Sequence, residues 1–581
     1  MKIVTRDVPP RAAWALEKAG VHPLLARLYA ARGVTNTTEL DDALSLLQPP
    51  AQMLGTTEAA RLLADAMAQQ QRICIVADYD CDGATACATG LRGLRMLGAP
   101  LGFDRVDFLV PDRVADGYGL TPSIAERVHA RGADVLVTVD NGIASVDGVA
   151  RARELGLQVL ITDHHLPAVI NGEVQLPQDC VIVNPNQPGC GFASKAIAGV
   201  GVMFYVLLAL RAELRARGVF DTQSQPRIDT LLPLVALGTV ADVVKLDAHN
   251  RRLVAQGLKR IRAGQLPAGM AALLRVAQRE PRQANGTDLG FGLGPRLNAA
   301  GRLADMTLGI ACLSTDDPQH AATLAQTLDG INRNRKAIES DMRDQALQLA
   351  EQLWDDSTDT PPPALCLFDP GFHEGVVGIV AARLKDKLYR PTFVFAASQA
   401  TGKTHELKGS GRSIPGFHLR DALDLIAKRH PGVLLRFGGH AAAAGCTIAA
   451  DHFDTFCQAL QHIANEWLDK ATLQRKLETD GPLDPKYRAS DMVDTLQQQV
   501  WGQGFAPPVF CEELEIVSQR LVGQTSKHLA LKVKHGHELV DAIWFGHTNT
   551  LPERTRLAFR MDSDDWNGQR RVRFLVEGAE L

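Results

Sequence analysis

The stretch Val76–Thr85, VADYDCDGAT, places three aspartates at alternate positions immediately before a glycine. The spacing D-x-D-x-D-G is that of an EF-hand calcium loop, which draws ligands from loop positions 1, 3 and 5 and a bidentate Glu from position 12. Counted from Asp78, position 12 is Thr89. The run leading in, Arg72–Asp78 RICIVAD, is short, apolar and β-branched, which predicts a buried strand where an EF-hand needs a helix. The calcium-loop reading fails on both counts. Read as an extended segment, Asp78, Asp80 and Asp82 share one side. A lone Asp-x-Asp at a strand end is ordinarily a polar turn. Three carboxylates this close raise one another's pKa unless a cation neutralises them, so the stretch predicts a divalent metal if further ligands converge on it.

Working outward, the chain alternates short apolar runs with helical patterns. RICIVAD leads into Gly83–Gly98, and Val106–Asp112 VDFLVPD precedes Thr121–Gly132. Ala133–Gly142 ADVLVTVDNG and Gly156–His165 GLQVLITDHH follow. This order predicts an α/β fold with a parallel sheet covered on both faces and ligands beyond the carboxyl ends of its strands. A helical pattern from Pro318 to Asp355 carries a stripe of Leu324, Leu328, Ile331, Ile338, Met342, Leu349 and Leu353, then meets the linker Asp355–Pro363 DDSTDTPPP. A second α/β unit begins at Ala364. After it come the short strands FCEELEIV, HLALKVK, ELVDAIWFG, RLAFRMD and RVRFLVEG, with an Asn-Gly hairpin signal at Asn567–Gly568, which together predict a small closed β-barrel. The expected division is an N-terminal cap segment 1–50, a first α/β domain 51–317, a connecting helix and linker 318–360, a second α/β domain 361–465 and a barrel domain 466–581.

A chain of 581 residues with 45% hydrophobic and 22% charged residues has the composition of a globular protein of two to four domains. The longest apolar run, Ala196–Leu210, is too short to span a bilayer and reads as a buried helix. Ten cysteines without a C-x-x-C pair, and no apolar N-terminal signal, predict a cytoplasmic protein with free thiols and no membrane contact; a monomer is the expected state. A net charge of -4 leaves any nucleic-acid role to local patches.

Four predicted strand ends deliver polar residues to one edge: Asp78, Asp80 and Asp82; Pro111–Arg113; Asp140; and Asp163, His164 and His165. Asp242 closes the apolar run LVALGTVAD, a costly place for a carboxylate unless it is paired or coordinated. Carboxylates with one or two imidazoles favour Mn²⁺ or Mg²⁺. There are ligands enough for two ions, and a pair ~4 Å apart is the usual device of phosphoryl hydrolysis.

DYDCDG, VDNG, DHH and GTVAD, in this order, resemble the four motifs of the DHH phosphoesterase superfamily. PDRVADGYGL, VNPNQPGCGFASKAIAGVGVMFYV, GPRLNAAGRLADM, HEGVVGIVAARL, KGSGRS and GGHAAAAG narrow the resemblance to its RecJ family of single-strand-specific exonucleases, over residues 45–575. The resemblance implies Mn²⁺- or Mg²⁺-dependent 5′→3′ digestion of single-stranded DNA to mononucleotides in recombination and repair. The implied architecture is a DHH domain, a connecting helix, a DHH-associated domain and an oligonucleotide-binding fold. Carried over by motif, Asp80, Asp82, Asp140, His164 and Asp242 are implied metal ligands, with Asp140 bridging. Asp78 and His165 are implied as ligands or as orienters of water and phosphate.

Arg113, Asn298 and Arg302, the last expected on a loop facing the metals, are implied substrate contacts. So are Ser410, Arg412, Gly438, Gly439 and His440, a clamp on the terminal nucleotides in which the glycines of KGSGRS let backbone approach an anion. As an isolated string, His440 reads as a helix-start histidine. The long helix is expected to hold the second domain over a cleft that admits only a single strand. Trp544, Phe545, Phe559 and Phe574 are barrel core or stacking platforms beside Arg554, Arg556, Arg570, Arg571 and Arg573. His373 and Glu374 receive no role. A helicase and single-strand-binding protein are implied partners. Two competing readings remain: a DHH hydrolase of small phosphate esters such as oligoribonucleotides or cyclic dinucleotides, disfavoured by the barrel, and an inactive DNA-binding scaffold, disfavoured by the complete set of carboxylates and histidines.

Overall fold

The computed structural model describes residues 1–112, 116, 118–170, 172–352, 361–399, 402, 405–523, 526–566 and 569–580. Arg113, Leu353, most of the 355–363 linker and the Asn567–Gly568 hairpin signal lie outside these. The chain forms two compact units. One comprises Ile3–Asp329 with Glu478–Leu581, the other Gly330–Leu477 with Met1–Lys2.

In the larger unit, five parallel strands run in the order Val106–Leu109, Ile73–Ala77, Val135–Val139, Gln158–Thr162, Val181–Val183. Every residue of Ile73–Ala77 is buried, as the continuous apolar run requires of a strand covered on both faces. Ile73, Ile75 and Ala77 pack with Val137 and Val139 into the main core, against the helices Cys81–Gly98 and Gly199–Ala216. Cys74, Val76, Leu136 and Ile161 pack on the other side with residues of the helices Pro122–Ala130 and Val146–Glu154. The apolar run near residue 200 is thus a buried helix, beginning at Gly199.

The C-terminal strands Phe510–Val522, His528–His535, Glu538–Phe545, Arg554–Trp566 and Gln569–Glu580 close into the expected barrel. The first fifty residues, for which the sequence suggests no role, tie this barrel region to the parallel-sheet domain. The Arg32 guanidinium donates to both oxygens of Asp480 at 2.8 and 3.0 Å, with both side chains buried. The ring of Tyr29 lies 5.8 Å from Trp501 and 6.0 Å from Phe505, and Arg251 sits 4.1 Å over the ring of Phe505. Arg252 donates to the carbonyls of Asp41, Thr38 and Leu46 at 2.9–3.3 Å, fixing the rest of the segment.

In the smaller unit the strand order is Leu434–Gly439, Ala443–Ala449, Glu406–Arg412, Thr392–Ala397, Leu365–Phe368. The predicted long helix runs from Pro318 to Gln352 and contributes residues to both units.

Candidate active site

Strand register builds the site. Ala77 pairs with Val139, and Val139 with Thr162, so the next residues of three adjacent strands, Asp78, Asp140 and Asp163, emerge side by side at the carboxyl edge. The three aspartates of DYDCDG do not continue as an extended segment. Asp78 follows the strand, Asp80 caps the Cys81–Gly98 helix by accepting from the Gly83 amide at 3.0 Å, and Asp82 stands in the first helical turn. The carboxylates converge because the chain turns: a β-carbon on Gly83 would lie 2.5 Å from the carbonyl oxygen of Asp78. Asp140 holds φ at 61°, a left-handed value rare outside glycine, and this re-aims its side chain at the strand end.

Distant segments hold this turn. Asp82 accepts from the amides of Gly199 and Val200 at 2.6 and 2.9 Å, the N-terminus of the buried helix, where backbone donors favour an anion. Asn298, expected to face substrate, accepts from the Cys81 amide at 2.7 Å and so pins the aspartate turn instead. Arg302 is on a helix, Gly294–Leu303, not the expected loop. Its neighbour Gly301 packs so closely on the turn that a β-carbon there would lie 1.8 Å from the Tyr79 carbonyl oxygen.

His164 Nε2 lies 3.1 Å from Asp140 Oδ1, 3.5 Å from Asp242 Oδ2 and 3.9 Å from Asp82 Oδ2. Asp242 ends the helix Leu232–Ala241. Three donor sets each fit within ion-binding distance: Asp78, Asp80 and Asp140; Asp82, His164 and Asp242; and Asp140, His164 and His165. Asp140 and His164 each belong to two of them.

Asp163, which the sequence delivers to the edge without a role, accepts from the backbone of Ile143 at 3.0 Å and of His164 at 2.7 Å. It also binds His165 Nδ1 at 2.7 Å. It orients both histidines. The signal available in sequence was its place as a strand-end carboxylate among metal-type neighbours.

Electrostatics select the occupant. Burial, then the charge of Asp80, raises Asp82 to about 7 against the pull of its two amides. Burial and the surrounding carboxylates push Asp140 and Asp242 well above the ordinary range. Burial and the neighbouring His165 lower His164 to about 4, so its ring is neutral. Burial opposes charge on His165, but the Asp163 hydrogen bond outweighs it and raises the ring to about 9. Asp140 Oδ1 and His164 Nε2 are both buried and have no hydrogen-bond partner among the described residues. In the tautomer that carries its proton on Nδ1, Nε2 has its lone pair toward the Asp140 oxygen, 3.1 Å away. Two lone pairs facing one space among raised carboxylates fit a divalent cation, and oxygen-rich donors favour Mn²⁺ or Mg²⁺.

In the smaller unit, the glycines of KGSGRS do not offer backbone to an anion. They lie in the strand Glu406–Arg412, opposite Phe395 and Phe393, and β-carbons on Gly409 and Gly411 would lie only 2.3 and 2.4 Å from atoms of those rings. Ser410 and Arg412 alternate with them and so face the other side, where Arg412 donates to Ser410 Oγ at 3.1 Å beside Gly378, near the start of the helix Val377–Leu388. Gly438 and Gly439 end a strand, and His440 sits in the following hairpin turn rather than at a helix start, its amide donating to Ala443 at 2.8 Å. His373 Nδ1 caps the Gly375 amide at 3.0 Å and Glu374 pairs with Lys408 at 3.3 Å, local structural uses for both.

In the barrel, Phe559 and Phe574 are core, Trp544 stacks on His547 at 3.8 Å, and Phe545 is exposed. Arg556, Arg570 and Arg573, which flank these aromatics in sequence, are ion-paired with Glu580, Asp494 and Asp562.

Residues 72–239 match the N-terminal domain of the DHH family, 362–466 the DHHA1 domain and 479–578 the RecJ OB domain. The chain is 44% identical over 568 residues to the single-stranded-DNA-specific exonuclease RecJ of Escherichia coli K12, covering 96% of each. A crystal structure of RecJ with Mn²⁺ from Thermus thermophilus matches all of this chain and 79% of that one, with a TM-score of 0.81 and 28% identity. The same protein with Mg²⁺ matches all of this chain and 78% of that one, with a TM-score of 0.75 and 27% identity.

Proposed function

Because the chain belongs to the RecJ family of DHH-type exonucleases, we propose that its carboxylate–histidine centre hydrolyses phosphodiester bonds of single-stranded DNA, releasing mononucleotides from the 5′ end in recombination and repair. The observation that carries this reading is the buried, partnerless pair Asp140 Oδ1 and His164 Nε2 inside a ring of carboxylates whose proton affinity is raised. Asp78, Asp80 and Asp140 would hold one divalent ion, and Asp82, His164 and Asp242 a second. Such ions, when bound, supply an activated water and charge neutralisation at the phosphate.

The chain's own residues do the rest. The Gly199 and Val200 amides and Asn298 fix the aspartate turn, so the donor set needs no rearrangement to receive substrate. His165, anchored on Asp163 and with 37% of its side chain exposed, offers an N–H to a phosphate oxygen. Arg302 gives a planar fork for the same group, and Ser410, Arg412, Gly438, Gly439 and His440 grip the terminal nucleotide. We extend the reading to a cytoplasmic monomer working beside a helicase and a single-strand-binding protein, a domain division close to 51–317, 361–465 and 466–581, and contact of Arg113 with the strand.

The test is digestion of end-labelled single strands with Mn²⁺. We expect mononucleotides from the 5′ side, resistance of blunt duplex, and loss of turnover by orders of magnitude in Asp140→Ala. Equal release of label from both ends, or near-normal turnover in that variant, overturns it.

A further inference from the structure

The helix Ala248–Arg262 turns one face, Arg251, Ala255, Lys259 and Arg262, to a cavity of about 350 Å³ that shares no residue with the metal centre. The rest of the lining includes the segment 39–42 and Gln498, Gln499 and Phe505, so stretches from both ends of the chain meet around it. The volume lies at the lower end of the roughly 300–1,000 Å³ of small-molecule pockets, room for one compact ligand and not for a strand. Arg251 and Arg262 stand about 16 Å apart along the helix, and the two ends they mark differ in charge.

At the Arg262 end a cation is left over. Arg262 donates to the carbonyls of Ala284 and Gln498 at 2.8 and 3.4 Å and touches no carboxylate among the described residues. Asp288 pulls on it but is itself paired with Arg279 at 3.2 Å, and burial still lowers Arg262 from the ordinary guanidinium value. Lys259, one turn back, pairs with Asp42 at 2.6 Å. A half-buried guanidinium without a counter-ion in contact is costly, and a phosphate supplies the missing oxygens in the matching geometry.

At the Arg251 end the surplus is of acceptors. Arg251 is already engaged by the carbonyls of Leu246 and Glu39 and by the ring of Phe505. The carboxylates of Glu39 and Asp41 each serve their own turn through one oxygen. Glu39 Oε1 accepts from the Thr35 amide at 2.9 Å, and Asp41 Oδ1 from the Ala43 amide at 2.9 Å. Their second oxygens have no partner among the described residues. An inorganic phosphate or polyphosphate, acceptor over its whole surface, is repelled there. A nucleoside monophosphate matches both ends, with an anion at one and the N–H donors of a base at the other.

Building on the exonuclease reading, which makes 5′-mononucleotides the product, we propose that this cavity binds one product nucleoside monophosphate, its phosphate on Arg262 and Lys259 and its base edge toward Glu39 and Asp41. The bound nucleotide ties the N-terminal segment to the stretch that leads into the barrel.

The experiment is calorimetry of the full chain in chelator, with deoxyguanosine 5′-monophosphate as the probe because guanine carries a full donor edge. Deoxyguanosine and inorganic phosphate serve as its two halves, and each should bind roughly tenfold or more weakly than the whole. Arg412→Ala removes the clamp in the smaller unit as a rival site and should still bind one mononucleotide. Adding Arg262→Gln should weaken that binding about tenfold or more, the scale of hydrogen bonds to a charged group. Arg262→Gln alone should digest single strands in Mn²⁺ at the native rate. In the Arg412→Ala chain the nucleotide should also slow hydrogen exchange at residues 39–42 and 498–500, a readout that does not depend on how Arg262→Gln folds. No binding to Arg412→Ala, undiminished binding after Arg262→Gln, inorganic phosphate binding as well as the nucleotide, or no protection at either segment would overturn the site. Failure of the unmodified protein to release mononucleotides in Mn²⁺ would instead reject the exonuclease reading, and with it the ligand's identity as product.

Discussion

At Gly301, a methyl group would meet the carbonyl oxygen of Tyr79 at 1.8 Å, so Gly301→Ala must push the aspartate turn by about 1 Å or more. Displacements of that size cost on the order of 100-fold in rate when they misplace reacting groups. We expect Gly301→Ala to fold, to bind Mn²⁺ more weakly in calorimetry and to lose activity on that scale. Native Mn²⁺ affinity in a folded variant would show that the packing is not what places Asp78 and Asp80. Asp163→Asn should act differently, by removing the charge that holds His165 protonated, so the ring should titrate lower by NMR. The carboxylates were legible in sequence because strand ends and motif spacing advertise them. Their supports were not. The Asp82 bond to Gly199 spans 117 residues, and the Asn298 bond to Cys81 spans 217, separations over which no local pattern carries information.

Among the elements, strands and helices followed their periodicities closely, because apolar alternation and burial are the same physical requirement. The strand Glu406–Arg412 did not. Its two glycines suggest an anion loop until Phe393 and Phe395 are seen lying across them, a complementarity visible only once register is known. The N-terminal helices were silent for a related reason, since their partners lie more than 440 residues away. Asp480 receives Arg32 bidentately, Arg6 at 3.3 Å and the Val509 amide at 2.9 Å. Asp480→Asn leaves the buried Arg32 cation uncompensated and should cost about 3–5 kcal/mol in denaturant unfolding. A loss under ~1 kcal/mol would mean that solvent reaches the pair. Deleting residues 470–581 would remove Asp480 from the clasp together with the barrel. Leu483, Val493 and Phe505 belong to the core that Leu28 and Tyr29 share, so such a truncation should unfold the N-terminal segment along with losing DNA grip.

For the molecule as a whole, the metal centre links stability to pH. Asp82 is raised to about 7, and Asp140 and Asp242 are raised well above the ordinary carboxylate range. Without metal the folded state therefore binds more protons than the unfolded chain above about pH 4, and stability falls as pH rises through 7. His165, raised to about 9, adds a loss between its ordinary value and 9, while His164, lowered to about 4, opposes with a gain between 4 and its ordinary value. Three carboxylates and one histidine outweigh the other histidine. Melting curves in chelator should drop in Tm from pH 5 to pH 8, and the increment from added Mn²⁺ should grow over the same range. A metal increment independent of pH would contradict the raised carboxylates.

The clasp between Arg32 and Asp480 also sets an order of assembly in time. During synthesis the first helices emerge long before residues 480–506, with the entire smaller unit, Gly330–Leu477, made in between. Leu28 and Tyr29 cannot complete their core until nearly the whole chain has left the ribosome, so the nascent protein carries exposed apolar surface through most of its translation. The parallel sheet and its aspartates can condense early, but the segment that ties them to the barrel must wait for the last fifth of the chain. Interruption of translation before that point therefore leaves a product with a formed metal edge and an open apolar seam, a substrate for chaperones and proteases rather than a working nuclease.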